Sequence, residues 1–190
     1  MDELITYLLQ YGNFNSQQID LIKGLVKSRK LKKGDYFSEA GNISKEIAFV
    51  KKGIFRVCYF DKEGNEITKY FVEENHFAVD ITSYMSLIPS SEYIQAITDM
   101  ELLIFKESSM ETLSQTIIIW DQVVDKITSK AMIEKFNKTS LMMAEDATTR
   151  YLNFQNRFPS LVNRIPLQYL ASYIGVTKHS LSRIRKEIST

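Results

Sequence analysis

The chain has 190 residues, with 24 Lys and Arg against 23 Asp and Glu and a formal net charge of +1, a length that holds one large domain or two small ones. Its single cysteine, Cys58, excludes an internal disulfide and a thiolate-held iron–sulfur cluster. No apolar run approaches the roughly 20 residues that cross a bilayer, and Met1-Asp2-Glu3-Leu4 lacks the basic and apolar regions of a signal peptide, so a cytoplasmic protein with no membrane partner is expected.

The near-neutral total hides an uneven distribution. Residues 157–190 carry Arg157, Arg164, Lys178, Arg183, Arg185 and Lys186 against the one acid Glu187, while the other 156 residues hold eighteen basic and twenty-two acidic side chains. Only the C-terminal segment is therefore expected to meet a polyanion.

Residues 2 to about 28 are predicted to be helical. Leu4, Ile5, Leu8 and Leu9 form one apolar face and Ile19, Leu21, Ile22, Leu25 and Val26 a second, with Gly12-Asn13 between them and Ser16 as a candidate cap. From Leu31 to about Lys106 the texture changes to short apolar runs, Tyr36–Phe37, Ile47–Val50, Ile54–Phe60, Ile67–Val72, Tyr93–Thr98 and Leu102–Phe105, separated by glycine-containing turns. This spacing predicts an antiparallel sandwich or barrel. Residues from about 108 to 137 are then expected to form one long helix. Leu113, Ile117, Trp120, Val124, Ile127 and Ala131 alternate spacings of four and three, a heptad seam that predicts a homodimer contact, and Ile119, Val123, Ile133 and Phe136 form a second apolar line. The segment 140–158, with Ala144, Ala147, Tyr151, Leu152 and Phe154, is too apolar for a linker and is expected to start a C-terminal domain; Asp146, Thr148 and Thr149 are candidate caps.

Two short helices should close the chain. Leu167, Leu170, Ala171 and Ile174 share one face, Pro166 suits a first turn, and Gly175 suits a left-handed helix exit. Thr177 can cap a second helix in which Leu181, Ile184 and Ile188 face inward, leaving Lys178, His179, Ser182, Arg183 and Lys186 outward. Long cations and short hydroxyls on an exposed helix match the donors that a DNA major groove and its phosphates require.

The order of these elements, together with Lys33-Gly34-Asp35, Ala40-Gly41, Lys52-Gly53-Ile54-Phe55-Arg56-Val57, Asp61-Lys62-Glu63-Gly64-Asn65-Glu66 and Leu170-Ala171-Ser172-Tyr173-Ile174-Gly175-Val176-Thr177, resembles the cyclic-AMP-receptor-protein and fumarate-nitrate-regulator (Crp/Fnr) family. Within that family the ending Leu181-Ser182-Arg183-Ile184-Arg185-Lys186 looks like a subgroup that stops after the recognition helix, without the β-hairpin wing. The resemblance implies an α+β fold: a cyclic-nucleotide-binding-like β-roll with the long dimer helix over 1–137, and an all-α helix-turn-helix domain over 138–190. It also implies a homodimer on double-stranded DNA bearing an inverted repeat, with RNA polymerase a candidate contact. By position, Lys178, His179 and Arg183 fall on the base-reading residues, and Thr177, Ser180, Ser182, Arg185 and Lys186 on phosphate contacts.

Members that bind cyclic nucleotides carry a glycine-glutamate pair and, some ten residues later, an arginine followed by a small hydroxyl residue. Here those positions are Val79-Asp80 and Ser90-Ser91, and no Lys or Arg lies between Glu73 and Glu101. A buried phosphate without a cation is poorly compensated, so cyclic AMP is not expected to bind in the family's manner and the effector is unknown. Phe71, Phe77, Tyr84 and Tyr93 are candidates to line an apolar pocket instead. With His76 and His179 the only histidines, no metal or cofactor is expected, and no catalytic motif is present, which argues against an enzyme. The rival expectation is a ligand-sensing or protein-interaction module of the same fold that binds DNA weakly or not at all.

Overall fold

The structure, a computed structural model, describes residues 1–142 and 145–188, without the side chains of 135–142. Ala144 and the side chain of Phe136 thus lie outside the described residues. The chain divides into two compact units, Met1–Val57 with Phe71–Met132, and Cys58–Tyr70 with Ile133–Thr190.

The first unit opens with α1 (Asp2–Leu8) and α2 (Ser16–Leu25). The cap of α2 is Asn15, not Ser16: its side chain accepts from the Gln18 N–H while the Gln18 side chain accepts from the Asn15 N–H, a reciprocal capping box. The strands that follow are β1 (Lys27–Leu31), β2 (Tyr36–Ser38), β3 (Glu46–Lys52), β4 (Phe55–Phe60), β5 (Glu66–Val72) and β6 (Phe77–Ala78), then β7 (Tyr93–Ala96) and β8 (Met100–Lys106) after the short helix α3 (Ile81–Ser86). They form two four-stranded sheets in the orders β1-β8-β3-β6 and β2-β7-β4-β5. This is the expected β-roll, a mixed α+β architecture.

β1 replaces the tail of the predicted helix. Its sequence Lys-Ser-Arg-Lys-Leu carries no apolar alternation because it is an edge strand, paired only with β8 from Lys27↔Ile104 to Leu31↔Met100, and edge strands favour charge. At the centre, β3 and β8 pair in the register Ala48↔Ile104, Phe49↔Leu103 and Val50↔Leu102, and all six are buried. Successive side chains of a strand point to opposite faces, so a run buried at every position needs cover on both. Phe49, Leu103 and Phe105 pack with Leu4, Leu8 and Ile22 of the N-terminal helices, and Leu102 and Ile104 turn the other way, into the roll.

The long helix is the main correction. It is two helices, α4 (Glu107–Thr116) and α5 (Trp120–Met142), separated at Ile117, whose backbone is extended (φ −109°, ψ 103°). Leu113 and Ile117 are completely buried and Trp120 is 2% exposed, all in this chain's own core beside Val123 and Phe105. The break turns the first half of the predicted seam inward. Val124 and Ile127 pack partly on the same core, and Ala131 is exposed. The six residues therefore do not form one seam for a second copy.

Of the four aromatic residues expected to line a pocket, Phe77 belongs to the core under the N-terminal helices. Phe77 meets Tyr7 edge-on at 5.5 Å and Phe49 at 5.1 Å, and lies 6.1 Å from Phe105. Phe77 thus lies on the helix side of its sheet, packed with Phe49 and Phe105 against the N-terminal helices.

In the second unit, α6 (Ala147–Arg157), α7 (Leu167–Ile174) and α8 (Lys178–Ile188) surround a small core of Tyr151, Phe154, Leu161, Val162, Ile165, Leu170, Ala171, Ile174 and Leu181. Asp146 caps α6 by accepting from the Thr149 N–H at 2.9 Å. The β4–β5 hairpin, Cys58–Tyr70, belongs to this unit.

Candidate nucleic-acid interface and effector cassette

Helices α7 and α8 stand as the sequence predicted. Gly175 takes the left-handed conformation (φ 76°, ψ 38°), and the turn closes through Gly175 N–H to Ser172 O at 3.1 Å and Val176 N–H to Ala171 O at 3.0 Å. Thr177 caps α8: its Oγ1 accepts from the Ser180 N–H at 3.1 Å and lies 3.0 Å from Ser180 Oγ. Leu181 is completely buried and Ile184 half-buried.

At 3.6 residues per turn, the side of α8 opposite Leu181 and Ile184 carries His179, Arg183 and Lys186 at i, i+4 and i+7, with Ser182 beside them and Lys178 on its flank; all five are exposed. Arg185 lies toward the inner face and is half-buried. The hydroxyls of Thr177 and Ser180 face each other across the cap. The candidate base-reading residues therefore share one open face, whereas three of the candidate phosphate contacts, Thr177, Ser180 and Arg185, are placed by the local fold of the corner itself.

The cassette is organised differently. Asp80 caps α3, accepting the Ser83 N–H at 3.1 Å, and its other carboxylate oxygen accepts the Ser90 hydroxyl at 2.6 Å. Ser90 is buried and also accepts the Glu92 N–H at 3.0 Å. Ser83 donates to Ile88 O at 2.6 Å and accepts the Ser44 N–H at 2.9 Å. The structure thus joins Asp80 to Ser90, two of the four positions singled out, while Val79 is half-buried and Ser91 exposed. The polar atoms of this region satisfy one another, as buried polar groups must. Ser83 was missed from sequence, although an Asp three residues ahead of a Ser at a helix start is a legible capping signal.

Ser172 was also missed. Its hydroxyl accepts the Thr68 N–H at 2.8 Å and donates to Glu66 O at 3.2 Å, a pairing across more than a hundred residues that no local pattern announces. Among the described residues no cluster of His, Cys, Asp and Glu could hold a metal ion, and no helix is long and apolar enough to cross a membrane.

In chain order, then, an antiparallel roll is followed by a two-helix corner with a cationic outer face. Residues 28–116 match the family described as cyclic nucleotide-binding domain, which spans the roll from β1 through α4. A comparison with curated proteins gives no match. Among solved structures, the c-di-GMP responsive global regulator CLP from Xanthomonas campestris is similar with a TM-score of 0.72 at 15% identity, over 92% of each chain. A transcriptional regulator of the Crp/Fnr family from Eubacterium rectale gives 0.72 at 17% identity, over 97% of this chain and 88% of the other. The Thermus thermophilus catabolite activator protein gives 0.60 at 17%, over 96% and 86%. The chain shares the fold of these Crp/Fnr-type transcription regulators.

Proposed function

We propose that the chain is a sequence-specific DNA-binding transcription regulator of the Crp/Fnr type, acting as a homodimer on an inverted repeat, with a β-roll that has lost the family's phosphate-binding residues. The observation that carries this is the exposed face His179–Arg183–Lys186 on a helix held by a tight glycine turn against its neighbour. In a helix-turn-helix the second helix enters the major groove. Arg183 can donate a pair of hydrogen bonds to guanine O6 and N7, and Lys178 one from a less rigid stem. His179 stands where the family often has a glutamate, so the base preference there differs. Two such helices about 34 Å apart read successive grooves.

The homodimer rests on what α5 leaves uncovered: Ala131, the partly exposed Val124 and Ile127, and the exposed Met132 and Ile133. Leu113, Ile117 and Trp120 are excluded from that contact by their burial. In the roll, the Asp80–Ser90 hydrogen bond takes up the groups that would otherwise meet a ligand, and segment 73–101 supplies acids but no cation for a cyclic phosphate.

The test is a gel shift with duplexes selected from a random pool. Inverted-repeat enrichment and a salt-sensitive complex are expected; a monomer indifferent to DNA in dilute salt removes the proposal. Isothermal titration with cyclic AMP and cyclic GMP should show no binding, and micromolar binding abolished by Asp80→Ala would overturn the account of the cassette.

A further inference from the structure

The outer face of α8 holds one group whose charge is not fixed. His179 is the second residue of the helix, exposed, and one turn ahead of exposed Arg183. A recognition helix meets base edges with its N-terminal residues, so this imidazole stands where readout is decided. Lysine and arginine on the same face only donate, but an imidazole changes what it offers. Neutral, one ring nitrogen donates and the other accepts; protonated, both donate.

The corner itself offers that proton no counter-charge. The one carboxylate on α8 is Glu187, eight residues and more than two turns beyond His179. Helix α7, which packs against α8, carries no acid or base apart from the phenols of Tyr169 and Tyr173. On α6, Arg150 lays its guanidinium against Gly175, ahead of α8. The remaining charges on the outer side of α8 are Lys178, Arg183 and Lys186. Groups that would hold an imidazolium here must therefore come with the ligand.

A DNA duplex supplies them. Phosphate oxygens only accept, and guanine presents two acceptors, O6 and N7, in the major groove. An imidazolium can donate one N–H to a guanine acceptor and the other to a phosphate oxygen, whereas the neutral ring sets a lone pair against one of them. Cytosine presents a donor, its N4 amino group, which an imidazolium cannot satisfy. The same side chain thus favours guanine when charged and accepts cytosine when neutral.

We propose that His179 reads guanine as the imidazolium, so that DNA binding takes up a proton at each half-site and both affinity and base preference depend on pH. A group that holds its proton more tightly in the complex strengthens that complex as pH falls, by at most about tenfold per pH unit for one proton. The inference rests on the DNA-binding reading of α8. Its control lies in the chain: the other histidine, His76, is in the roll, with Nδ1 2.9 Å from Glu74 O.

Full-length wild type, His179→Gln and His76→Gln are titrated by fluorescence anisotropy from about pH 8 to about pH 6, the range in which an imidazole changes charge, at constant salt. The duplexes are those recovered from a random pool by wild type at each end of the range. Proton uptake is measured by isothermal titration in two buffers of different ionisation enthalpy. Wild type and His76→Gln should bind about tenfold more tightly at the acid end, take up protons on binding, and enrich guanine at one position per half-site. His179→Gln keeps a donor and an acceptor but cannot titrate; its affinity should be the same at both ends, with no proton uptake. If wild type binds DNA with the flat profile of His179→Gln, the proton link is overturned and the DNA-binding reading stands. A pH dependence that survives in His179→Gln and disappears in His76→Gln also overturns the link. Absence of DNA binding by all three proteins at low salt, at both ends of the range, overturns both.

Discussion

The effector cassette and the outer face of α8 are the two places where this chain gathers polar side chains, and it treats them in opposite ways. In the cassette, Asp80 accepts from the Ser83 N–H and the Ser90 hydroxyl, Ser90 accepts from the Glu92 N–H, the Ser83 hydroxyl is taken up by Ile88 O and Ser44 N–H, and Ser83 and Ser90 are buried. On α8, Lys178, His179, Ser182, Arg183 and Lys186 are held out in solvent by a buried Leu181 beneath them. A set of groups that satisfies itself has little left with which to recognise a ligand, whereas an exposed cationic face gains by meeting an anion. On the proposed function, the contrast puts recognition on the C-terminal helices and leaves a structural role to Asp80, Ser83 and Ser90.

The largest effect should come from neither place. Leu113→Ala empties part of the core between the helices and the sheet, and should lower unfolding stability by about 2–5 kcal/mol in urea titrations. The dimer dissociation constant, followed by sedimentation, should stay near its original value. A large rise in that constant with little loss of unfolding stability would return Leu113 to an interface between copies.

Next in size, Arg183→Ala should cost about 1–3 kcal/mol of DNA affinity and relax the preference at one base pair per half-site. Lys186→Ala should weaken all sequences alike and reduce the salt slope by about one. Equal, sequence-independent losses from both would show that α8 supplies charge without readout.

In the cassette, Ser90→Ala removes the hydroxyl that Asp80 accepts and should destabilise the fold by about 1 kcal/mol, read by thermal unfolding with no change in DNA binding at fixed protein state. A stabilised variant that gains cyclic-nucleotide binding would show that the internal hydrogen bond merely occludes a working site.

The smallest effect is a pH dependence at the α6 cap. Hydrogen bonds from the Thr149 backbone, then from its side chain, hold the Asp146 carboxyl below the usual Asp range. A depressed folded-state value means a contribution present above the unfolded pKa and lost as pH falls through the folded one. Asp146→Asn should therefore flatten the acid limb of the stability curve while leaving the neutral limb almost in place; an unchanged acid limb would remove the cap from the account.

Much of this was legible in the residues. Gly175, the spacing of Leu167, Leu170, Ala171 and Ile174, and Thr177 announced α7, its exit and the cap of α8, because caps and turns are decided by a few neighbouring residues. That Val79-Asp80 and Ser90-Ser91 hold no arginine or glycine is a fact of the sequence alone, and the loss of phosphate binding built on it stays part of the proposal. The edge strand β1 was not legible: its lysines report an exposed sheet margin rather than a strand period. The break at Ile117 was hidden too, because the apolar spacing of Leu113, Ile117 and Trp120 fits a heptad seam and a kinked pair of helices pressed on one core equally well.

By itself, then, the sequence determined where α7 and α8 begin and end and which end of the chain carries positive charge; the helix limits depend on neighbours a few residues away. The tertiary structure decided that half of the seam faces inward, that Asp80 answers to Ser90, and that Ser172 holds the edge of β5. Each of those is a choice of partner across ten to more than a hundred residues, and such a choice is settled only when packing fixes which surfaces are left without water.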